Sequence, residues 1–384
     1  MTTYRLVTLG GDGTGPEVMA EAVKCLDVIQ KKLGLTFERR DVPCGGAYFL
    51  KDGKRDWPEG SEKACQESDL ILLGAVGWPS PTGKGPVTMP DGRMAGHSPV
   101  IGNRANLNLF ANVRPVKLYP GVTHRIHGSH KQVWEPGKVD MVFVRENTED
   151  LYVQAGGGLD RGGKRLVVTD TRIITREGTD QVVRYAFELC KRRNKGAPGD
   201  GKKRVTCIVK DNVLEGCRFF KRRFLEIGEE YPDIEKDPVI VDAFTQWLVT
   251  SPENFDVLVA PNMFGDIVTD LASVLQGGMG MAAGANIGPQ HGMFEPIHGS
   301  APKHAGLDKV NPLAMIMALR EGLIWLGERK QDPKLQKAAG AIEASVIELL
   351  KMGSPLTYDL APSGKGAKCS EVGSKMAQLI GERL

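Results

Sequence analysis

The sequence predicts an α/β protein of two domains, with sheets of largely parallel strands. Short runs rich in Val, Ile and Leu alternate with longer stretches of helical period, the pattern of strands joined by crossover helices. At 384 residues the chain exceeds what one ordinary core holds.

The elements follow in order. Arg5 to Leu9 has the apolar character of a buried strand. Gly10, Gly11, Gly13 and Gly15 then call for a tight turn accommodating something close, and Pro16 suits the first turn of the helix Glu17 to Leu33. Further strands are expected at Leu70 to Leu73, Val139 to Val144, Val205 to Val209, Val239 to Val241 and Val257 to Val259. Helices are expected at Gln181 to Arg193, Cys217 to Glu230, Ile267 to Gln276, Leu313 to Gly327 and Leu335 to Lys351. Gly156 to Gly163 lies between β-like stretches and reads as a protruding hairpin. Met279 to Gly299 reads as a long glycine-rich loop, a kind that usually carries function.

The glycine turn is not the dinucleotide fingerprint G-x-G-x-x-G. Counted from Gly11 the sixth position is Pro16, and from Gly13 it is Val18. Asp12 sits inside the loop, where it would repel phosphate. A formal charge of +3 is small for this length and suggests neither nucleic acid nor a membrane as partner. Seven scattered cysteines form no C-x-x-C pair, so neither a zinc site nor a disulfide framework is indicated, which fits a reducing cytoplasm. A strand starting almost at Met1 leaves no room for a signal peptide, and apolar runs such as Leu70 to Val76 are too short to span a bilayer.

Several residues could carry chemistry. Asp266 and Asp270 lie four apart at a helix start and share one face, beside a core-facing stripe of Ile267, Leu271, Val274 and Leu275. Either Asp266 caps the helix and Asp270 is solvated, or both are oxygen ligands of a hard cation, Mg²⁺ or Mn²⁺. Asp242, directly after the strand PVIV, could add a third carboxylate. Arg104 and Arg114 flank a short apolar run, and Arg145 ends a strand. Each alone reads as a surface residue, but three guanidinium forks with a metal suit a substrate bearing two or three carboxylates. Lys210 and Tyr152 could move protons. His124, His127 and His130 sit in a loop-like context that argues against zinc. PTGKGPV is no phosphate loop, because Gly85 stands where Ser or Thr must follow the lysine.

GGDGTGPE, LFANVRPVK, VRENTEDLY, VKDNVLEG, NMFGDIVTD and HGSAPKHAG appear in this order. Together they make the chain resemble, nearly end to end, the β-decarboxylating dehydrogenases: isopropylmalate, isocitrate, homoisocitrate and tartrate dehydrogenases. The resemblance implies an isopropylmalate dehydrogenase-like fold, not a Rossmann fold: an open twisted mixed sheet in two interleaved domains. Residues 1–109 and 277–384 would form the large, cofactor-binding domain, and 110–276 the small domain with the dimer interface and the metal ligands. The loop Gly10 to Gly15 would lie near the nicotinamide.

The resemblance also implies roles. Arg104, Arg114 and Arg145 would clamp the carboxylates of a malate. Asp266 and Asp270, with Asp242 from a second subunit, would hold Mg²⁺ or Mn²⁺. Lys210 from the partner would assist deprotonation of the C2 hydroxyl, and Tyr152 would protonate the carbon that loses CO₂. A homodimer with shared sites would be the smallest active unit.

His298, Gly299, Ser300, Ala301, Lys303, His304, Asn311 and Tyr358 would bind NADP or NAD. Lys303, standing where NAD-preferring relatives carry Asp, favours NADP, as do DKVNP and Tyr358; Pro362 replaces an expected arginine. Val100 and Ile101 align with the leucines that hold an isopropyl group, whereas Ser98 and the C-terminal motifs look more like isocitrate dehydrogenase; His97 stands where the isopropylmalate enzymes have Glu. The apolar pair favours an alkyl-substituted malate over a third carboxylate. Two rivals are a non-catalytic regulatory subunit, which would have lost metal or substrate ligands that this chain keeps, and a dehydrogenase of phosphorylated hydroxy-amino acids, which would lack the paired arginines around LFAN.

Overall fold

The computed structural model describes residues 3–361 and 365–384; Pro362 lies outside them. The chain forms two compact units, one of Met1–Leu109, Leu118–Pro136 and Ser273–Leu384, the other of Phe110–Lys117 and Gly137–Ala272.

The first unit starts with β1 (Thr3–Leu9) and α1 (Gly15–Leu33). Gly11 and Gly13 adopt φ of 76° and 59°. A Cβ on Gly11 would lie 2.2 Å from the Ala75 carbonyl oxygen, and one on Gly13 2.0 Å from that of Ser300. What the glycines accommodate is therefore the protein's own backbone. Asp12 is buried and accepts N–H bonds from Gly46, Ala47 and Gly77 at 2.8 to 2.9 Å, so its charge organises three backbone segments. Helix α1 buries Val18, Ala22, Cys25, Leu26 and Ile29 at helical spacing and ends at Gly34 with φ 63°.

β2 (Thr36–Val42), α2 (Gly46–Asp52), α3 (Ser61–Glu67) and β3 (Leu70–Leu73) follow. β2 was not expected: only Phe37 and Val42 are buried, so TFERRDV shows no apolar run, and parallel pairing with β1 makes it a strand. A π-helical turn, Ser98–Gly102, leads into α4 (Asn103–Asn106).

β4 (Ala111–Lys117) opens the second unit. The chain then returns to the first for a hairpin, β5 (His124–Ile126) and β6 (Ser129–Lys131). Residues 118–136, expected in the small domain, thus belong to the first unit. The Tyr119 hydroxyl donates to Glu343 at 3.0 Å, and Gly121 packs so close to Leu350 that a Cβ would meet its carbonyl oxygen at 2.5 Å. His124 is a core histidine: Nδ1 accepts from Val133 N, so Nε2 donates to the Leu275 carbonyl at 3.0 Å.

The second unit continues with β7 (Asp140–Glu146), β8 (Gly156–Arg161), β9 (Lys164–Asp170) and α5 (Arg176–Arg193), then β10 (Arg204–Val209), α6 (Glu215–Gly228), β11 (Glu235–Ile240), α7 (Val241–Thr250), β12 (Val257–Ala260) and α8 (Asn262–Ser273). Its strands lie in the order β11-β10-β12-β7-β4, parallel except for β4 against β7. Phe143, Phe187, Phe220, Phe224 and Phe244 fill its core. The β8–β9 hairpin is exposed throughout, as the sequence suggested. The strand expected at Val239 to Val241 begins earlier and stops at Ile240, where α7 starts.

Two expectations about α8 fail. The helix begins at Asn262, so Asp266 lies inside it and is not its cap. Of the expected core-facing stripe Leu275 is buried, but Ile267 and Val274 are 60% and 37% exposed, and Val268 and Ala272 are buried instead. Both rows have helical spacing, and only packing chose between them.

Back in the first unit, β13 (Ala283–Ile287) and β14 (Gly292–Pro296) pair antiparallel. They replace the long loop expected at Met279 to Gly299. All five residues of β13 are buried, and their small side chains hid the strand from an apolar-run reading. The order here is β13-β14-β3-β1-β2, otherwise parallel. α9 (Leu313–Lys330), α10 (Pro333–Met352) and α11 (Cys369–Arg383) complete the chain, the last without an expected counterpart. Both units are thus open mixed sheets flanked by helices. Among the described residues no helix is long and apolar enough to cross a membrane.

Candidate active site

Parallel strands put their C-terminal ends on one side of a sheet, where ligands bind in open α/β folds. In the second unit this side receives Arg145 from β7, Lys210 just after β10, Asp242 just after β11 and, beyond β12, the helix bearing Asp266 and Asp270.

Asp266 is the hub. Arg145, almost wholly buried, donates Nη1 to Asp266 Oδ1 and Nε to Asn262 Oδ1 at 2.9 Å. Arg114 on β4 donates Nη2 to the same Oδ1 at 3.2 Å, Nη1 to the Thr269 hydroxyl at 2.6 Å and Nε to Asn112 at 2.8 Å. The Tyr152 hydroxyl donates to Asp266 Oδ2 at 2.7 Å, with the Arg145 guanidinium 5.2 Å from its ring centre. Asp270 Oδ1 lies 3.6 Å from Arg114 Nη1. Burial pushes the Asp270 carboxyl above the usual range, opposed by Arg114 and reinforced by Asp266. Arginines already loaded with a carboxylate are poised to exchange it for an anionic ligand. The sequence reading missed Asn112, Asn262 and Thr269, which orient these guanidinium groups; Asn112 lies inside the motif LFANVRPVK, and Asn262 and Thr269 inside NMFGDIVTD.

Lys210 pairs with Asp242 within one chain. Among the described residues, no three His, Cys, Asp or Glu side chains of a single chain converge as a metal site. Asp266 and Asp270 nevertheless supply all-oxygen donors on one helical face, a set that fits Mg²⁺ or Mn²⁺.

In the first unit, Arg104 on α4 is buried and donates Nη2 to Glu295 at 3.2 Å, while its Nε has no partner among the described residues. Glu295, which the sequence did not single out, also accepts from Asn286 at 2.8 Å. The segment before Arg104 is anchored by buried Asp56, whose Oδ2 accepts the N–H groups of Gly96 and Ser98, each at 2.9 Å. Val100 packs in part against the core cluster of Leu107, Leu109 and Met293, so its apolar character has a packing reason of its own. Ile101 is half-buried. Burial and nearby Arg93 hold the His97 imidazole below its usual pKa.

The expected cofactor segment is also in this unit. Ser300 is used by the chain itself: its hydroxyl donates to Gly77 O at 2.5 Å, and its carbonyl accepts Thr14 N at 2.8 Å. Asn311 likewise caps α9 through Leu313 N and donates to Asp359, both at 3.0 Å. Gly299 is exposed with open space beside it, Ala301 adopts φ 40°, and Lys303 is exposed in the single turn Pro302–His304. His298 Nε2 and His304 Nδ1 are buried with no partner among the described residues. The His304 and Tyr358 rings are 6.3 Å apart, and Lys309 Nζ is 5.8 Å from the Tyr358 ring centre. Orphaned ring nitrogens, with exposed Lys303 next to His304, fit an anionic, hydrogen-bonding cofactor.

A family pattern described as isocitrate/isopropylmalate dehydrogenase matches residues 5–376. The chain belongs to the isocitrate/isopropylmalate dehydrogenase family. Like its family, it is a decarboxylating hydroxyacid dehydrogenase. The 3-isopropylmalate dehydrogenase of Thermobifida fusca is 37% identical over 99% of each chain, and that of Haemophilus influenzae 33% identical over 99% of this chain and 100% of its own. Among solved structures, the isocitrate dehydrogenase of Methylococcus capsulatus matches with a TM-score of 0.81 at 32% identity, covering 99% of both chains.

Proposed function

We propose that this family member oxidises and decarboxylates a malate bearing a 3-alkyl group, of the isopropylmalate type, with NADP preferred over NAD. Convergence of Arg114, Arg145 and Tyr152 on Asp266 carries the reading of the reaction. The half-buried apolar side chains of Val100 and Ile101, ahead of Arg104, support the alkyl substituent. Relatives named 3-isopropylmalate dehydrogenase support the same substrate.

Arg104, Arg114 and Arg145 bind the two carboxylates. Asp266 and Asp270, with Asp242 of the partner subunit, would hold Mg²⁺ or Mn²⁺. The cation would supply Lewis-acid polarisation of the C2 hydroxyl, and the nicotinamide would supply a hydride acceptor. Lys210 of the partner subunit accepts the hydroxyl proton. After CO₂ leaves the β-keto acid, Tyr152 returns a proton to C3. Lys303, His304 and Tyr358 receive the adenosine end of the cofactor, where a lysine favours a 2′-phosphate by charge.

A homodimer follows from this reading. It is supported by exposed Ile267 on α8 and Val274 just beyond it, by Trp247 on α7, which is 48% exposed, and by the apolar exposed residues Leu166, Val167 and Val168 of the β8–β9 hairpin. Seven free, buried cysteines support a cytoplasmic location.

An isocitrate reading is favoured by Ser98, in the segment anchored by Asp56, and by the isocitrate dehydrogenase structural relative. Initial rates of nicotinamide reduction with Mn²⁺, comparing isopropylmalate with isocitrate, test the choice. Preference for isopropylmalate is expected; preference for isocitrate overturns the alkyl reading and directs attention to Ser98 and His97.

A further inference from the structure

Asp150 is fully buried and adopts φ 71° with ψ −141°, outside the left-handed helical well and close to a region that few residues other than Gly enter. Its carboxylate has four donors. Oδ1 accepts from Leu151 N at 3.0 Å and Arg172 Nε at 2.5 Å. Oδ2 accepts from Met263 N at 3.1 Å and Arg172 Nη2 at 3.3 Å. The Asp150 backbone pairs with Ile173 in both directions.

The two backbone donors belong to different elements. Leu151 opens the single turn Leu151–Val153, which carries Tyr152. Met263 lies in the first turn of α8, which carries Asp266. One carboxylate therefore caps both elements whose side chains meet in the Tyr152–Asp266 hydrogen bond. Its charge also suits the N-terminus of α8. Arg172 is held in turn by Cys217 Sγ at 3.2 Å and by the Phe264 ring, 5.2 Å from its guanidinium carbon.

We propose that Asp150 is a positioning residue, clamped by Arg172, that aims the Tyr152 hydroxyl for proton delivery to C3. The inference rests on the reading that Tyr152 supplies this proton. In the step, the Tyr152 O–H bond breaks and a C3–H bond forms. The π pair of the enolate moves into the new bond, C2–O becomes a carbonyl, and the phenolate regains a proton from solvent. A fixed donor delivers to one face of the enolate; a misplaced one lets solvent protonate both.

Asp150→Asn keeps shape and tolerance of positive φ but turns one acceptor oxygen into an amide facing donors. With isopropylmalate and Mn²⁺, kcat is expected to fall about 10- to 100-fold, with KM changed by no more than about twofold. In D₂O, C3 deuterium is expected on both faces, where the unsubstituted enzyme labels one. Arg172→Lys, which keeps the charge and loses the fork, is expected to do the same to a smaller degree and serves if Asp150→Asn does not fold. A purely structural role would lower the melting temperature and the active fraction yet leave single-face labelling intact. Single-face labelling and unchanged kcat in a folded variant overturn the proposal. Tyr152→Phe, run alongside, separates the two levels. If it keeps kcat and single-face labelling, the Tyr152 reading fails and this inference with it. If it loses them while Asp150→Asn keeps them, only this inference fails.

Discussion

The Tyr152 hydroxyl donates to Asp266 Oδ2 at 2.7 Å, while the other oxygen of that carboxylate takes the guanidinium groups of Arg145 and Arg114. One acid thus links the expected proton donor, two expected carboxylate binders and the expected metal site. Tyr152→Phe removes the donor and leaves the arginines in place. Its kcat should fall about 100-fold, in the range of general acid catalysis, with little change in KM for isopropylmalate. Steady-state kinetics check this.

Asp266→Asn should abolish Mn²⁺-dependent turnover and weaken Mn²⁺ binding measured by calorimetry. It also removes the Asp266 carboxylate from buried Arg145, which should cost about 1–3 kcal/mol of stability by denaturant unfolding. Near-normal turnover in this variant would refute Asp266 as a ligand.

Burial pushes the Glu149 carboxyl up to about 7, opposed by hydrogen bonds from Thr175 and reinforced by the charge of Glu146. The folded state therefore holds this proton more tightly than the unfolded chain, whose value is near 4.5. The stabilisation is complete below the unfolded value and is lost as pH rises through about 7. The melting temperature should decline across this interval, and Glu149→Gln should flatten the decline. Calorimetric scans of both proteins over pH decide it; parallel curves would remove Glu149 as the source.

Lys303→Asp places an acid where NAD-preferring relatives have one. The ratio of kcat/KM for NADP to that for NAD should drop at least about tenfold, equivalent to about 1.4 kcal/mol for one lost charge contact with phosphate. An unchanged ratio would point to His304, Lys309 or Tyr358.

The expected parallel strands were legible because a buried parallel strand must be apolar, as Leu70–Leu73 and Val205–Val209 are. β4, β5, β6 and β14 were not expected, nor were β2 and β13. TFERRDV is polar, and AGANI is small; pairing with distant strands makes each a strand. At the site, the residue types could be picked from motifs, but their orienting partners could not. Arg145 and Asp266 are 121 residues apart, and nothing local says that they meet.

The sequence by itself determined the alternation of strands and helices, the absence of a dinucleotide fingerprint, and the arginines, aspartates, lysine and tyrosine with which the site is built. These follow from local chemistry: period, turn residues and charge. The tertiary structure decided that the glycine turn admits Ala75 and Ser300, that Asp12 and Asp56 anchor backbone loops, that Ile267 faces outward, and that Asp150 caps two elements at once. Periodicity says which side chains share a face, not what covers that face. Only long-range pairing can bring a carboxylate to donors more than a hundred residues away.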